Sequence, residues 1–186
     1  SGKSQLSRAV GTLLGDTRSV QLFSSRYQAL QAALSVAPES TSFYRPWTEG
    51  VDWACQDAVI VEPPLAFALP LWILALKDGC VYSGESSRFA SPLIAAVTRS
   101  IYDLQAAVRQ RQEKDWFIYD TVLTRYWVRR GPYLSPKIPE EQYAAFVRHC
   151  LEHEIVVSPV YNQPSIVPFG ADRGVFRKLE KNPFSL

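Results

Sequence analysis

Residues 57–76 read DAVIVEPPLAFALPLWILAL, and the conformation of this stretch decides the fold of the chain. It is almost wholly apolar after Asp57, yet Glu62 sits inside it and Pro63, Pro64 and Pro70 break it. A membrane helix needs about twenty predominantly apolar residues, and the run nearly qualifies by length. The Pro-Pro pair argues against one continuous helix, because each proline lacks an N–H and clashes with the preceding turn. The simpler reading is a buried strand over Ala58–Val61, a turn at Glu62-Pro63-Pro64 and a short buried helix around Leu71–Leu76. A strand apolar on both faces belongs inside a sheet covered on both sides. Ala58–Val61 is therefore expected to be central, flanked by helices at 5–14 and 92–108.

Working outward, alternating strands and helices fill the first hundred residues. Leu6, Ala9, Val10, Leu13 and Leu14 have helical spacing, closed by Gly15. Ser19–Phe23 reads as a strand. Ser24-Ser25 can cap a helix reaching about Val36, with Tyr27, Leu30 and Leu34 inward. Short strands are expected at Ser42–Tyr44 and Gly79–Tyr82. Ser91-Pro92 opens a long helix, with proline at its first position. Leu93, Ala96, Val97, Ile101, Leu104 and Val108 mark its apolar face. The polar segment Gln110–Asp115 marks a boundary. Beyond it, Trp116–Val128 is ambiguous between strand and helix, and Gly131-Pro132 and Ser135-Pro136 punctuate a loop. Pro139-Glu140-Glu141 opens another helix, with Tyr143, Phe146, Val147, Cys150 and Leu151 inward. A short strand at Ile155–Val157 and a last helical turn at Val175–Leu179 complete the reading. The fold class expected is α/β: a three-layer sandwich with a mainly parallel central sheet over residues 1–112. A smaller α+β C-terminal subdomain with a Pro-rich tail is expected over residues 113–186.

Composition bounds the function. The formal net charge is +2, and Arg129-Arg130 is a pair, not a stripe, so no nucleic-acid partner is expected. Five Trp, nine Tyr and nine Phe supply aromatic surface for a core or an interface. Cys55, Cys80 and Cys150 are odd in number and widely spaced, which implies neither a disulfide framework nor a zinc ribbon. The chain opens on Ser and contains no Met, so its N-terminus is expected to be processed, cleaved or engineered. No secretory signal is visible, and an intracellular location is expected, with a removed organellar presequence left open.

Three sets of residues carry candidate chemistry. Ser1-Gly2-Lys3-Ser4 followed by an amphipathic helix looks like the end of a Walker A loop, whose lysine and backbone N–H groups cradle phosphates. That resemblance to P-loop ATPases makes Lys3 and Ser4 candidate cofactor-binding residues. His149-Cys150-Leu151-Glu152-His153 places both histidines at i, i+4 on one side of a helix. The string H-x-x-E-H resembles the inverzincin metallopeptidases, and by that resemblance His149 and His153 would be metal ligands and Glu152 the general base. The apolar helix face centres elsewhere, so a solvated helix end is the competing reading. Glu62 is a third catalytic candidate, because a carboxylate inside an apolar run is costly unless paired. It is expected to accept backbone hydrogen bonds or to pair with a cation.

The order of strands and helices through Val61, Ser91-Pro92-Leu93 opening a long helix, and Tyr143–Pro159 ending in IVVSP together resemble fold-type-I pyridoxal-phosphate aminotransferases. That family anchors its cofactor on a Schiff-base lysine, and no Ser-x-x-Lys segment lies between Leu76 and Ser91. The sequence itself specifies no cofactor. Its balance favours a non-catalytic interaction or structural module with a protein partner, a subunit of a larger assembly or a degenerate relative of an enzyme scaffold. A P-loop-type ATPase fragment or a metal-dependent hydrolase is the alternative.

Overall fold

The computed structural model describes residues 2–65, 69–117, 119–167 and 172–185. The chain divides into two compact units, Ser1–Gln110 and Arg111–Leu186. The first unit runs α1 (Gly2–Leu14), β1 (Arg18–Phe23), α2 (Arg26–Val36), β2 (Thr41–Phe43), β3 (Ala58–Val61), β4 (Trp72–Lys77) and α3 (Ser91–Gln110). Its sheet has the order β1-β4-β3-β2.

The sheet corrects the expected fold class. Only β2 and β3 are parallel, whereas β4 runs antiparallel to both β1 and β3. A three-layer sandwich built on a mainly parallel sheet is therefore not the fold. The error traces to Leu71–Leu76, expected as a helix, whose residues from Trp72 onward form strand β4. Apolar residues at every position, with no 3.6-residue stripe, suit a strand buried on both faces. A parallel return from β3 would need a crossover of a dozen or more residues. The link over 62–71 is too short for one, so the chain reverses and pairs Ala58 with Leu76 and Val61 with Ile73. Gly79–Tyr82 forms no strand. Its start is a turn, in which the Cys80 N–H donates to the Lys77 carbonyl at 3.0 Å and Gly79 takes φ +93°.

Alternation divides the buried strand residues between two cores. Val59, Val61, Ile73 and Ala75 face Leu6, Val10 and Leu14 of α1 and Val97 and Ile101 of α3. Ala58, Ile60, Leu74 and Leu76 face Ala29, Ala32 and Ala33 of α2. The inward face of α2 is thus its alanine face, and Tyr27 and Leu34, expected inside, are 72% and 44% exposed. Bulky Ile60, Leu74 and Leu76 already fill the sheet face, so alanines are what the helix presents there. Helices α1 and α3 are tied by the Gln105 side chain, which donates to the Ala9 carbonyl at 2.7 Å in a buried setting.

Arg18 pins the loop ahead of β3. Its buried guanidinium donates to Asp16 Oδ1 at 2.6 Å, to the Gln56 carbonyl at 2.6 Å and to the Trp53 carbonyl at 3.0 Å. Close by, Gly11 of α1 has no room for a side chain, since a Cβ there would lie 2.5 Å from the Asp16 carbonyl oxygen. Gly11→Ala should therefore invert the usual helix rule. Alanine is favoured by roughly 1 kcal/mol within a helix, but overpacking against rigid backbone costs about 1–3 kcal/mol. A urea melt should show net destabilisation, and an unchanged or raised midpoint would refute the close approach.

The second unit runs α4 (Lys114–Phe117), α5 (Asp120–Tyr126), β5 (Trp127–Arg130), β6 (Tyr133–Pro136), α6 (Glu140–Glu152), β7 (Ser165–Ile166) and α7 (Arg173–Lys181). The ambiguous stretch 116–128 divides into helix and then strand. The expected loop at 131–136 is a hairpin turn with Gly131 at φ +53°, followed by β6. Strand β7 adds antiparallel to β6, whereas Ile155–Val157 forms no strand. The core is aromatic: Phe146 lies 5.2 Å from Tyr126, 5.1 Å from Trp127 and 5.3 Å from Phe184 between ring centroids. Arg129 binds Asp120 and Glu113, and these partners raise its pKa, holding it fully charged.

Candidate functional site: an apolar cleft in the second unit

The segment after α6 alternates: Ile155 and Val157 point inward and Val156 is 85% exposed. An extended chain sends successive side chains to opposite sides. Here the inward pair meets Leu123 of α5, Trp127 of β5, Leu134 of β6 and Phe176 of α7 around a cavity of about 270 Å³. Val156, Ile166 at 64% exposure and Val175 at 40% also line this cleft. Ser165 contributes a hydroxyl, but that oxygen already accepts from the Ser158 N–H at 2.9 Å. The indole of Trp127 is buried, and among the described residues its Nε1–H has no acceptor.

Among the described residues, Glu154 is the one charged side chain of the cleft wall. It sits at φ +62°, the position after a helix where glycine is usual. There the Ile155 N–H donates to the Cys150 carbonyl at 2.9 Å and closes the end of α6. Its carboxylate pairs with Lys178, which holds it below the usual carboxylate pKa.

The residues singled out from the sequence lie elsewhere. His149 and His153 do come together, with ring centroids 4.4 Å apart. Both rings are committed to backbone: His149 Nε2 donates to the Asn182 carbonyl at 2.8 Å and His153 Nδ1 to the His149 carbonyl at 2.7 Å. Glu152 is exposed on the same helix. Among the described residues, no group of three His, Cys, Asp or Glu is placed to hold a metal ion. Lys3 and Ser4 are exposed in the first turn of α1, where Lys3 Nζ donates to Gln21 Oε1 at 3.1 Å. Ser4 lines an open cleft of about 660 Å³ with Arg8 and Asp16. Glu62 is exposed and, among the described residues, has neither of the expected partners. Strand β3 ends at Val61, so the next side chain turns to water. The cysteines offer no ready nucleophile at two positions. Burial pushes the Cys150 thiol up to about 12, and the hydrogen bond to Asp52 raises that of Cys55.

Sequence reasoning missed Trp127, Val156 and Ile166. The signal for Trp127 was available: Gly131-Pro132 flanked by two short aromatic and β-branched runs is a hairpin pattern. The cleft itself joins five separate segments and has no local signature.

No helix among the described residues is long and apolar enough to cross a membrane. No protein-family model matches the chain, and no solved structure matches it. Among curated proteins, an uncharacterized protein of Treponema pallidum (strain Nichols) is 40% identical over 95 residues. The match takes in 50% of this chain and 31% of that protein, so the chain aligns with less than a third of the relative.

Proposed function

We propose that the chain is a non-catalytic interaction module whose second unit takes apolar groups into the cleft between α5, the β5–β6 hairpin and α7. One observation carries this reading: exposed Val156, Ile166 and Val175 line the same apolar cavity as the buried residues beneath them. Exposed apolar side chains occur singly on most proteins, and their grouping around a cavity marks a binding surface. The candidate catalytic groups support the same reading. Glu62 and Glu152 stand in water, and the two histidines serve backbone carbonyls.

Titration with a small neutral hydrocarbon, 2-methyl-1-hexene, tests the proposal. Methyl resonances of Leu134 and Val157 should shift saturably while those of Val20 and Val59, in the first unit, stay fixed. Shifts that are absent, or spread evenly over both units, would remove the cleft as a binding site.

A further inference from the structure

The first unit carries a concavity of a different character from the apolar cleft. Residues three and four apart share one side of a helix, so Gln28, Gln31 and Ser35 of α2 stand in a row. The segment after β4 supplies Tyr82, Glu85 and Ser86 to the same cavity, of about 530 Å³, with the buried Phe23 and Ala32 beneath. That segment is pinned. The Ser87 N–H donates to the Leu22 carbonyl of β1 at 2.7 Å, and the Ser24 N–H donates to Ser87 Oγ at 3.1 Å. The Tyr82 ring meets Phe23 edge to face, 5.8 Å between centroids, and its hydroxyl donates to the Glu85 carbonyl at 3.3 Å. A Cβ at Gly84 would lie 2.3 Å from that hydroxyl oxygen, so a side chain there would drive the phenol out of its position.

We infer that this concavity binds sugars, uncharged rings rich in hydroxyl groups. Among the described residues, the side chains of Gln28, Gln31, Glu85 and Ser86 hold no hydrogen bond or ion pair within the protein, and all four reach solvent. Each amide offers two N–H donors and an acceptor oxygen, the serine hydroxyl donates and accepts, and the carboxylate only accepts. Neighbouring sugar hydroxyls answer all three, because each one both donates and accepts. Charge narrows the class. Among the described residues, Glu85 is the one charged side chain that lines the cavity, so an anionic guest would meet a carboxylate with no cation to offset it. An ammonium group would suit Glu85 and leave the amide N–H groups without acceptors. A wholly apolar guest would strip water from the amides and replace none of its hydrogen bonds. The carbon-lined part, from Phe23, Ala32 and Tyr82, suits the C–H groups of a ring. A rigid ring also has less freedom to lose than an open-chain polyol. A dry cavity of about 150 Å³ holds benzene, so about 530 Å³ has room for roughly twenty non-hydrogen atoms, one or two sugar rings.

The experiment titrates the methyl glycosides of glucose, galactose, mannose and N-acetylglucosamine into the chain by NMR. At least one should shift the side-chain amide resonances of Gln28 and Gln31 and the backbone resonances of residues 82–87, saturably, while Leu134 and Val157 of the second unit stay fixed. Shifts that fail to saturate for every sugar, or that spread over both units, overturn the inference. The apolar cleft is tested by its own hydrocarbon titration, so either proposal can fail without the other. Gln31→Ala should weaken the sugar that binds about fivefold, the scale of one neutral hydrogen bond. Gln31 is exposed and alanine is the best helix former, so the fold is kept. An unchanged affinity in this variant overturns the inference. The uronic acid counterpart of the same sugar should bind several-fold more weakly than the sugar itself, and Glu85→Gln should close that gap. A gap that is absent in the wild type, or that persists in Glu85→Gln, places the ligand elsewhere and overturns the inference.

Discussion

Arg18→Ala should destabilise the first unit by about 3–5 kcal/mol, the range for removing one partner from a buried ion pair. The side chain is buried, and its guanidinium joins Asp16 to the carbonyls of Trp53 and Gln56. Alanine would strand the Asp16 carboxylate, one oxygen of which has no partner even in the wild type among the described residues. It would also leave the loop at 53–57 without its donor. Arg18→Lys keeps the charge and loses the planar fork that spans several acceptors, so an intermediate loss is expected. Urea denaturation checks both. A loss under 1 kcal/mol for Arg18→Ala would show that the loop holds itself.

Phe146→Ala should cost the second unit a similar amount, about 3–5 kcal/mol. Phe146 is fully buried and is the ring that Tyr126, Trp127, Tyr143 and Phe184 share. Truncation removes aromatic contacts to α5, β5 and the C-terminal segment together, and rings fixed by several neighbours cannot collapse into the void. The expected result is a lowered urea midpoint, together with loss of the near-ultraviolet circular dichroism of the packed rings. Full retention of that signal would place the organising contacts of this unit elsewhere.

How much of this was legible depends on how local each signal was. Helix α1, strand β1 and the cap at Ser25 followed from periodicity and capping chemistry, which act within a few residues. Strand β3 followed from its two-sided apolarity. Strand β4 did not, because a short apolar run has the same composition in a buried strand and a buried helix, and only pairing with β1 and β3 decides between them. That one misreading turned a mixed sheet, with β4 antiparallel to both neighbours, into a mainly parallel one. The inward face of α2 failed for a related reason: hydrophobicity pointed to Tyr27 and Leu34, but the room left by Ile60 and Leu74 admits alanine. The cleft was the least legible feature. Trp127, Ile155 and Phe176 are remote in sequence, and a cavity is a property of what surrounds it.

The strand order has a consequence for synthesis. Among the described residues, strand β1 has a single sheet neighbour, β4, which is made about fifty residues later. At roughly 5–20 residues per second on the ribosome, β1 waits several seconds for its partner. During that interval Val20, Leu22 and Phe23 have no sheet to join, and the backbone groups of β1 remain open to any strand that arrives first. The nascent chain is thus most vulnerable to mispairing before Trp72–Lys77 has emerged, and a chaperone that acts on it would find its substrate in that window.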